Sequence, residues 1–432
     1  MKILLINPPN SGKSIPEEEF GIKSIKMIFR GEPLALEVLA GNLSDHTVEI
    51  ADLKVEPDSL RGHLETFKPD IVGITGVTCE ANSVLKIAGE VKNHHSSSIV
   101  VAGGHHASCD PEFFNQSYID YVVVGLGKSS FRELIFAVEE GKNRKIIPGV
   151  AKTAPGKPLF YIPRKYSTDD LVIEKEPCYE LVEKYRDKYV MSGVGGRTAF
   201  VAAAFGCTHK CSFCSIPRIT GGRYLTGSIH SVLRDIRLLG DIPLIRLVDA
   251  NSFGNIEFSE NLAKKLIDSG IRKKLVADVR ADTIVNYPKL FSIWKEAGLE
   301  TVVIGFEDVC NERLAQYNKK NTLLINTEAL RILKEIDIKV IGDFIVSPDY
   351  GHKEFERLEE FVSENRIDLP MPSILTPIPG TPLGEMMKDK IEIHDLDYYT
   401  FLNAVIPTKL EKKIFYETFS SLMKTFHKQI RD

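Results

Sequence analysis

The sequence has no uncharged apolar run long enough to cross a bilayer. Its opening, MKILLINPPN, is too short an apolar stretch for a leader or an anchor. It has no large excess of either charge: 55 Lys and Arg stand against 59 Asp and Glu, a formal net charge of −4. That excludes a global basic field for nucleic acid and leaves no charged tail. No repeat recurs at solenoid spacing. Cysteine is sparse, and the total of 7 is odd. A secreted disulfide framework is therefore a poor fit, and a reducing, cytoplasmic setting is expected. What is present is an ordinary globular composition, 43% hydrophobic and 26% charged, over 432 residues. Such a length suggests two or three domains.

Short apolar runs alternate with helical patterns over residues 1–140. ILLI (3–6), VEIA (48–51), IVGIT (71–75), IVVA (99–102) and YVVV (121–124) predict buried strands. Helices are predicted at 33–43, 58–67, 80–92 and 129–139. Continuous apolar strands separated by helices predict an α/β fold, a doubly wound parallel sheet covered on both faces. Ligands of such sheets lie at the strands' carboxyl ends, here the turns NPPN, TGVT, GGHHAS and GLGKSS. GLGKSS is not a phosphate loop, because that motif requires glycine where Val122 stands. Residues 141–197, rich in Pro, Gly and charge, read as a linker. A second alternating series fills 198–391. Strands are predicted at 199–204, 244–248, 275–278, 300–304, 338–346 and 369–375. Helices are predicted at 228–239, 257–268, 287–296, 323–335 and 352–363. Six such units predict a partial (β/α)6 barrel, short of the full eight. Residues 392–432 predict one or two terminal helices covering the barrel.

Cys207, Cys211 and Cys214 crowd the segment FGCTHKCSFCSIPR directly after the first strand of the second series. A loop there lies at the mouth where barrel chemistry is done. Thiolates are the usual ligands of iron–sulfur clusters. Three of them on a four-iron cluster leave one iron open to a small molecule's amino and carboxylate groups. The competing reading is structural zinc, with His209 as the fourth ligand. Polar groups follow the later strands: Asp249 and Asn251, then Arg280 and Asp282, then Glu307. Cys79, Cys109, Cys178 and Cys310 have no metal spacing and read as packing residues, with a hydrogen-donor role for Cys310 left open.

Cys207-x-x-x-Cys211-x-x-Cys214, with Phe213 before the last cysteine, resembles the signature of the radical S-adenosylmethionine (SAM) superfamily. RAD (280–282), GFED followed by LAQYNKKNT, and TPIPGTPL resemble the members that carry an N-terminal cobalamin-binding domain. The resemblance runs from NPP at residue 7 to the terminal helices. It implies a [4Fe-4S] cluster on the three cysteines and SAM on the open iron. Asp249, Asn251, Arg280, Glu307 and Phe213 would then lie in the SAM site, carboxylates suiting its ammonium and ribose and a guanidinium its carboxylate. DANSF stands where a Gly-Gly-Glu segment is usual.

The same resemblance makes the first sheet a cobalamin binder. PDIVGITGVT, VVAGGHHAS and DYVVVGLGKSSFREL resemble the family's corrinoid-binding turns. Thr75, Gly103, Gly104, His105, His106, Gly125 and Gly127 are the implied contacts. Glycines without Cβ let backbone approach a flat macrocycle. The Asp-x-His-x-x-Gly loop of many cobalamin proteins is absent, and Leu126 stands where a glutamate is usual. His105 and His106 read as packed or hydrogen-bonded before cobalt ligation.

The expected activity is cobalamin-dependent radical SAM methyl transfer to an unactivated carbon. The acceptor is expected to be a peptide or protein residue, as in glutamine C-methylation of methyl-coenzyme M reductase, or else a small molecule. Cyclisation or rearrangement of a lipid or natural product is the alternative, and a non-catalytic cobalamin- or zinc-binding regulator is the alternative of another class. An external electron donor of the flavodoxin or ferredoxin type is expected, with no nucleic-acid partner and no membrane span.

Overall fold

Alternation along the first strands decides the layering. In Ile3–Ile6, all fully buried, Leu4 and Ile6 pack into one core while Ile3 and Leu5 pack into another. A strand apolar on both faces needs helices on both faces. The computed structural model supplies them, and it describes residues 1–23, 29–141, 146–167, 175–191 and 193–429. The first sheet contains β1 (Lys2–Asn7), β2 (Thr47–Asp52), β3 (Ile71–Ile74), β4 (Ile99–Ala102), β5 (Tyr121–Val123) and β6 (Val150–Lys152). Their order is β2-β1-β3-β4-β5-β6; the first five are parallel, and β6 runs antiparallel to β5. Helices α1 (Leu34–Gly41) and α4 (Gly127–Glu139) cover one face, and α2 (Leu60–Phe67) and α3 (Ala81–His94) the other. The chain reverses direction across the sheet between β1 and β3, which opens a crevice at their carboxyl ends.

The second sheet has six parallel strands in chain order. These are β7 (Gly196–Val201), β8 (Leu244–Leu247), β9 (Lys274–Val279), β10 (Leu299–Glu307), β11 (Lys339–Val346) and β12 (Leu369–Ile374). Helices α5 (Ile229–Leu238), α6 (Ile256–Asp268), α7 (Pro288–Glu296), α8 (Leu323–Glu335) and α9 (His352–Asn365) pack outside. Side-chain oxygens of Ser228, Asn255 and Thr322 cap α5, α6 and α8 and fix where each begins. The result is the expected partial barrel.

Inside it, residues two apart along each strand form layers. Met191, Leu244, Val276, Val303, Ile341 and Leu369 make an apolar floor. One step closer to the mouth, the same strand face carries Arg246, Asp278 and Asp343.

The segment read as a linker takes part in both sheets. It provides β6, and Val190–Met191, which pairs antiparallel with β7 on one side and Phe29–Arg30 on the other. Its residues 142–145, 168–174 and 192 lie outside the described ones. The C-terminal stretch also divides. Leu396, Tyr399, Val405 and Ile406 belong to the first sheet's core, whereas α10 (Lys412–Gln429) packs on the barrel. Among the described residues no helix is long and apolar enough to cross a membrane.

Candidate active site between the two sheets

The carboxyl ends of both sheets border one cavity of about 500 Å³. The first sheet contributes Thr75 and Gly76 after β3, Gly103 to His105 after β4, and Gly125 to Lys128 after β5. The barrel contributes Phe200, Ala202, Ala204 and Gly206 around the end of β7, and Val248 and Ala250 after β8. Cys207 follows Gly206 directly, so the cysteine loop starts at the cavity wall.

The glycines serve different ends. A Cβ on Gly103 would meet nothing nearer than 3.8 Å, so its open side is cavity. Gly104 has φ 94°, and a Cβ there would lie 2.5 Å from Thr75 Oγ1. Gly125 has φ 86°, and a Cβ there would collide with the Tyr166 hydroxyl. These two are demanded by left-handed backbone and close packing. The Gly125 N–H donates to Ser108 Oγ at 2.9 Å, and the Leu126 N–H to Tyr166 Oη at 2.7 Å, which fixes the turn into α4. A Cβ on Gly127, the first residue of α4, would make ordinary contacts at 3.7 Å.

The two histidines part company. His105 lines the cavity and is exposed within it. His106 is fully buried, set edge-on against Phe113 and Phe114 with centroids 5.0 and 5.4 Å away. Its ring nitrogens have no partner, and burial pulls its pKa down to about 4.

The cysteine loop is held from segments distant in sequence. The Ser212 N–H donates to the Tyr317 carbonyl at 2.9 Å, and Asn318 Nδ2 to the Lys210 carbonyl at 2.8 Å. The Leu383 N–H donates to the Ser212 carbonyl at 2.9 Å. Phe213 stacks edge-on against Tyr317 at 5.8 Å, within a small apolar cluster that includes Ile345, Leu375 and Leu383. Cys211 is buried, and Cys207 and Cys214 are half-buried. Burial raises the thiols of Cys211 and Cys214, the latter to about 12. His209 is turned elsewhere: Nδ1 lies 2.9 Å from Thr208 Oγ1, and Nε2 lies 3.9 Å from Asp282. Among the described residues no three His, Cys, Asp or Glu side chains converge as ligands of one ion. Cluster thiolates bind separate irons and need no such convergence, so three thiols with this spacing fit a cluster.

Asp249, Asn251, Arg280 and Glu307 are buried and do not line the cavity; each is bonded to its own neighbours. Asp249 accepts from the Ala203 and Ala204 N–H groups at 2.8 and 2.9 Å, clamping the backbone that leads to Cys207. Its other oxygen is buried without a partner, and burial lifts its pKa to about 6. Asn251 accepts from the Phe253 N–H at 3.3 Å. Arg280 grips Asp282 through Nε and Nη2 and donates to the Lys319 carbonyl at 2.9 Å. Glu307, at φ 66°, accepts from Lys319 Nζ at 2.6 Å.

Sequence reasoning missed Lys319, the Arg246–Asp278 pair at 2.7 Å, and Asp343. It also missed Lys54–Glu80 at 2.6 Å on the cavity wall. Asp343 is pushed up to about 7 by burial, with the Glu307 and Asp278 carboxylates adding to it. The available signal was a charged residue interrupting an apolar strand: LIRL, LVADV and VIGDFIV. Cys310 lies apart from these groups, its thiol 2.9 Å from Glu312.

Comparison with known proteins agrees with this fold. The family model described as B12 binding domain matches residues 25–135, and the Radical SAM superfamily model matches 202–362. The hopanoid C-3 methylase of Methylococcus capsulatus is 29% identical over 409 residues, 93% of this chain and 76% of that protein. The anaerobic magnesium-protoporphyrin IX monomethyl ester cyclase of Rubrivivax gelatinosus is 29% identical over 367 residues, 81% of this chain and 64% of that one. The structure of TsrM from Kitasatospora setae, a radical S-adenosylmethionine methyltransferase with cobalamin and a [4Fe-4S] cluster bound, superposes with a TM-score of 0.67. It is 19% identical and spans 90% of this chain and 74% of that one.

Proposed function

The chain belongs to the cobalamin-dependent radical SAM enzymes, and we propose that it transfers a methyl group from a corrinoid to an unactivated carbon. When bound, SAM on a cluster supplies a 5′-deoxyadenosyl radical, and the corrinoid supplies the methyl group. The protein's own part is placement. Cys207, Cys211 and Cys214 would hold the cluster, and Asp249 keeps the strand before them in register. Arg280, Asp282, Glu307 and Lys319 form two ion pairs beside Cys211, groups that suit SAM's charges and ribose. Gly103 leaves room for a flat ring, and the apolar walls keep water from a reactive carbon.

One observation carries the reading: a single cavity is bordered by the glycine turns of the first sheet and by the residue preceding Cys207. Methyl transfer from corrinoid to substrate requires the two cofactor sites to share such a space. The test is anaerobic turnover of the reconstituted protein with methyl-deuterated SAM and candidate acceptors. A product heavier by one labelled methyl group is expected. Formation of 5′-deoxyadenosine with a product of changed connectivity but no added carbon would overturn methyl transfer. It would favour the cyclase reading, which the Rubrivivax relative supports.

For the acceptor, an apolar ring system is favoured. The cavity walls are largely hydrocarbon, and the two relatives are named for a hopanoid and a protoporphyrin ester. No feature among the described residues singles out the peptide or protein acceptor expected from the sequence. The same labelled assay, run with peptides, decides that point.

A further inference from the structure

We propose that residues 146–167, a cationic strap with apolar tips along the edge of the first sheet, dock on an anionic lipid bilayer. The inference rests on the reading that the acceptor is an apolar ring system, because such a molecule partitions into lipid. The strap falls in the segment read from the sequence as a linker, and it is built around the edge strand β6. Two of its runs lie side by side. The Gly149 N–H donates to the Ile162 carbonyl at 2.7 Å, and Arg164 Nε to the Pro148 carbonyl at 3.4 Å. Side chains alternate along the second run: Leu159 and Tyr161 pack against the first sheet's core, while Phe160 and Ile162 are exposed. Pro158 and Pro163 favour extended backbone in the residues before them. Phe160 is 70% exposed and Ile162 46%; Ile146, on the neighbouring run, is 62% exposed. Single exposed apolar residues are ordinary, but three on adjoining runs form a patch that calls for a cover.

Charge decides what covers it. Residues 146–167 contain Lys152, Lys157, Arg164 and Lys165 and no Asp or Glu, in a chain of net charge −4. Arg164 pairs with Glu133 at 2.7 Å. Lys152, Lys157 and Lys165 are exposed, with no carboxylate partner among the described residues. Of the bordering carboxylates, Asp120 holds Lys92 at 2.7 Å, and Glu112 accepts from the Leu159 N–H and from Asn115. Asp110 and Glu385 stand near Glu112, at the strap's 157–159 end. The bilayer contact is therefore assigned to the 146–152 and 160–165 stretches. Apolar tips flanked by unpaired lysines suit the headgroup layer of an anionic membrane. The ring and branched chains enter the acyl boundary while ammonium groups meet lipid phosphates. A second copy of this chain, related by a two-fold axis through the patch, would instead set lysine against lysine. The strap also leads to the cofactor cavity. Two residues past Arg164, the Tyr166 hydroxyl accepts from the N–H of Leu126, which lines the cavity. Docking thus sets the cavity wall close to the lipid from which an apolar acceptor comes.

The experiment measures co-sedimentation of the full chain, reconstituted with cluster and corrinoid, with two kinds of vesicle. One holds equal parts phosphatidylcholine and phosphatidylglycerol; the other is phosphatidylcholine alone. The parent is expected to bind the anionic vesicles more tightly, and binding should weaken as salt rises. Each lysine at such a surface is worth about fivefold in partitioning, so K152Q/K165Q should lose roughly twentyfold. F160S/I162S should lose roughly tenfold or more on the same vesicles. Without lipid, both variants should melt as the parent does, because all four side chains are exposed. Equal binding of variants and parent, or a parent that stays in solution with both vesicles, would overturn the docking surface. So would a parent that self-associates without lipid while F160S/I162S does not, which would give the patch to a second copy. Vesicle binding lost in both variants, together with methylation of water-soluble acceptors only, would leave the surface standing and sink the apolar-acceptor reading.

Discussion

Glu37 on α1 offers the sharpest test of how this fold handles charge. Its side chain is fully buried, and neither oxygen has a hydrogen-bond partner. Glu32 lies nearby, equally buried, and accepts from the Arg186 guanidinium and from the Phe200 N–H. One guanidinium thus serves two carboxyl groups, and the geometry awards it to Glu32. Burial, then the Glu32 charge, holds Glu37 well above the ordinary carboxyl range, so it is the protonated member. The sign follows. Glu37 binds its proton more tightly folded than unfolded, so its contribution is complete below the unfolded value near 4.5 and drains away as pH rises toward the folded value. Over that window each pH unit costs about 1.4 kcal/mol. A Glu37→Gln substitution keeps the shape and removes the titration. The variant is expected to match the parent near pH 5 and to gain on it as pH rises toward 8, by at most about 1.4 kcal/mol per pH unit. At roughly 2–4 °C per kcal/mol for a domain of this size, thermal melts at stepped pH resolve the difference. Parallel stability profiles for variant and parent from pH 5 to 8 would refute the reasoning, as would a variant less stable at pH 8.

Alanine at Cys207, Cys211 or Cys214 should abolish iron and sulfide uptake, whereas Cys310→Ala should leave it intact; metal analysis and visible absorbance check both. Asp249→Asn weakens two hydrogen bonds to a charged acceptor, each worth about 1.5–3 kcal/mol. The expected result is a lower iron content per chain and a lower Tm. Gly125→Ala forces a Cβ into the Tyr166 hydroxyl at positive φ and should cost about 1–3 kcal/mol by urea titration. Gly103→Ala has space on the protein side, so stability should hold while corrinoid binding, followed by absorbance, weakens about tenfold or more.

The strands were legible because their burial is extreme. IVVA and ILLI are apolar on both faces, a pattern that a two-sided parallel sheet produces. The helices were legible where a polar residue caps an amphipathic stretch, as Thr322 does for α8. Three features were not legible. Residues 150–152 and 190–191 join sheets as two- and three-residue strands, too short for any periodicity to declare them. The division of residues 392–429 between the two cores depends on contacts that composition does not encode. The third was the partner of each rim charge. Arg280 and Glu307 were visible as polar groups after strands, but their shared bonds to Lys319 required the turn at 317–320.

That turn explains why the cysteines alone underdetermine the site. Three thiols in eight residues could close on one zinc ion with His209. Tyr317 and Asn318 fasten the loop at Ser212 and Lys210, and Thr208 engages the histidine's Nδ1. The same short segment places Lys319 against Glu307 inside and Lys320 in solvent outside. A single left-handed turn therefore sets the loop's shape, the polarity of the rim and the charge of the surface at once. Shortening it by one residue should disturb the loop and the rim together, and iron content and SAM affinity would fall in step. If iron content survived such a deletion, the cysteine loop would have to hold its shape unaided, and the bracing argument would fail.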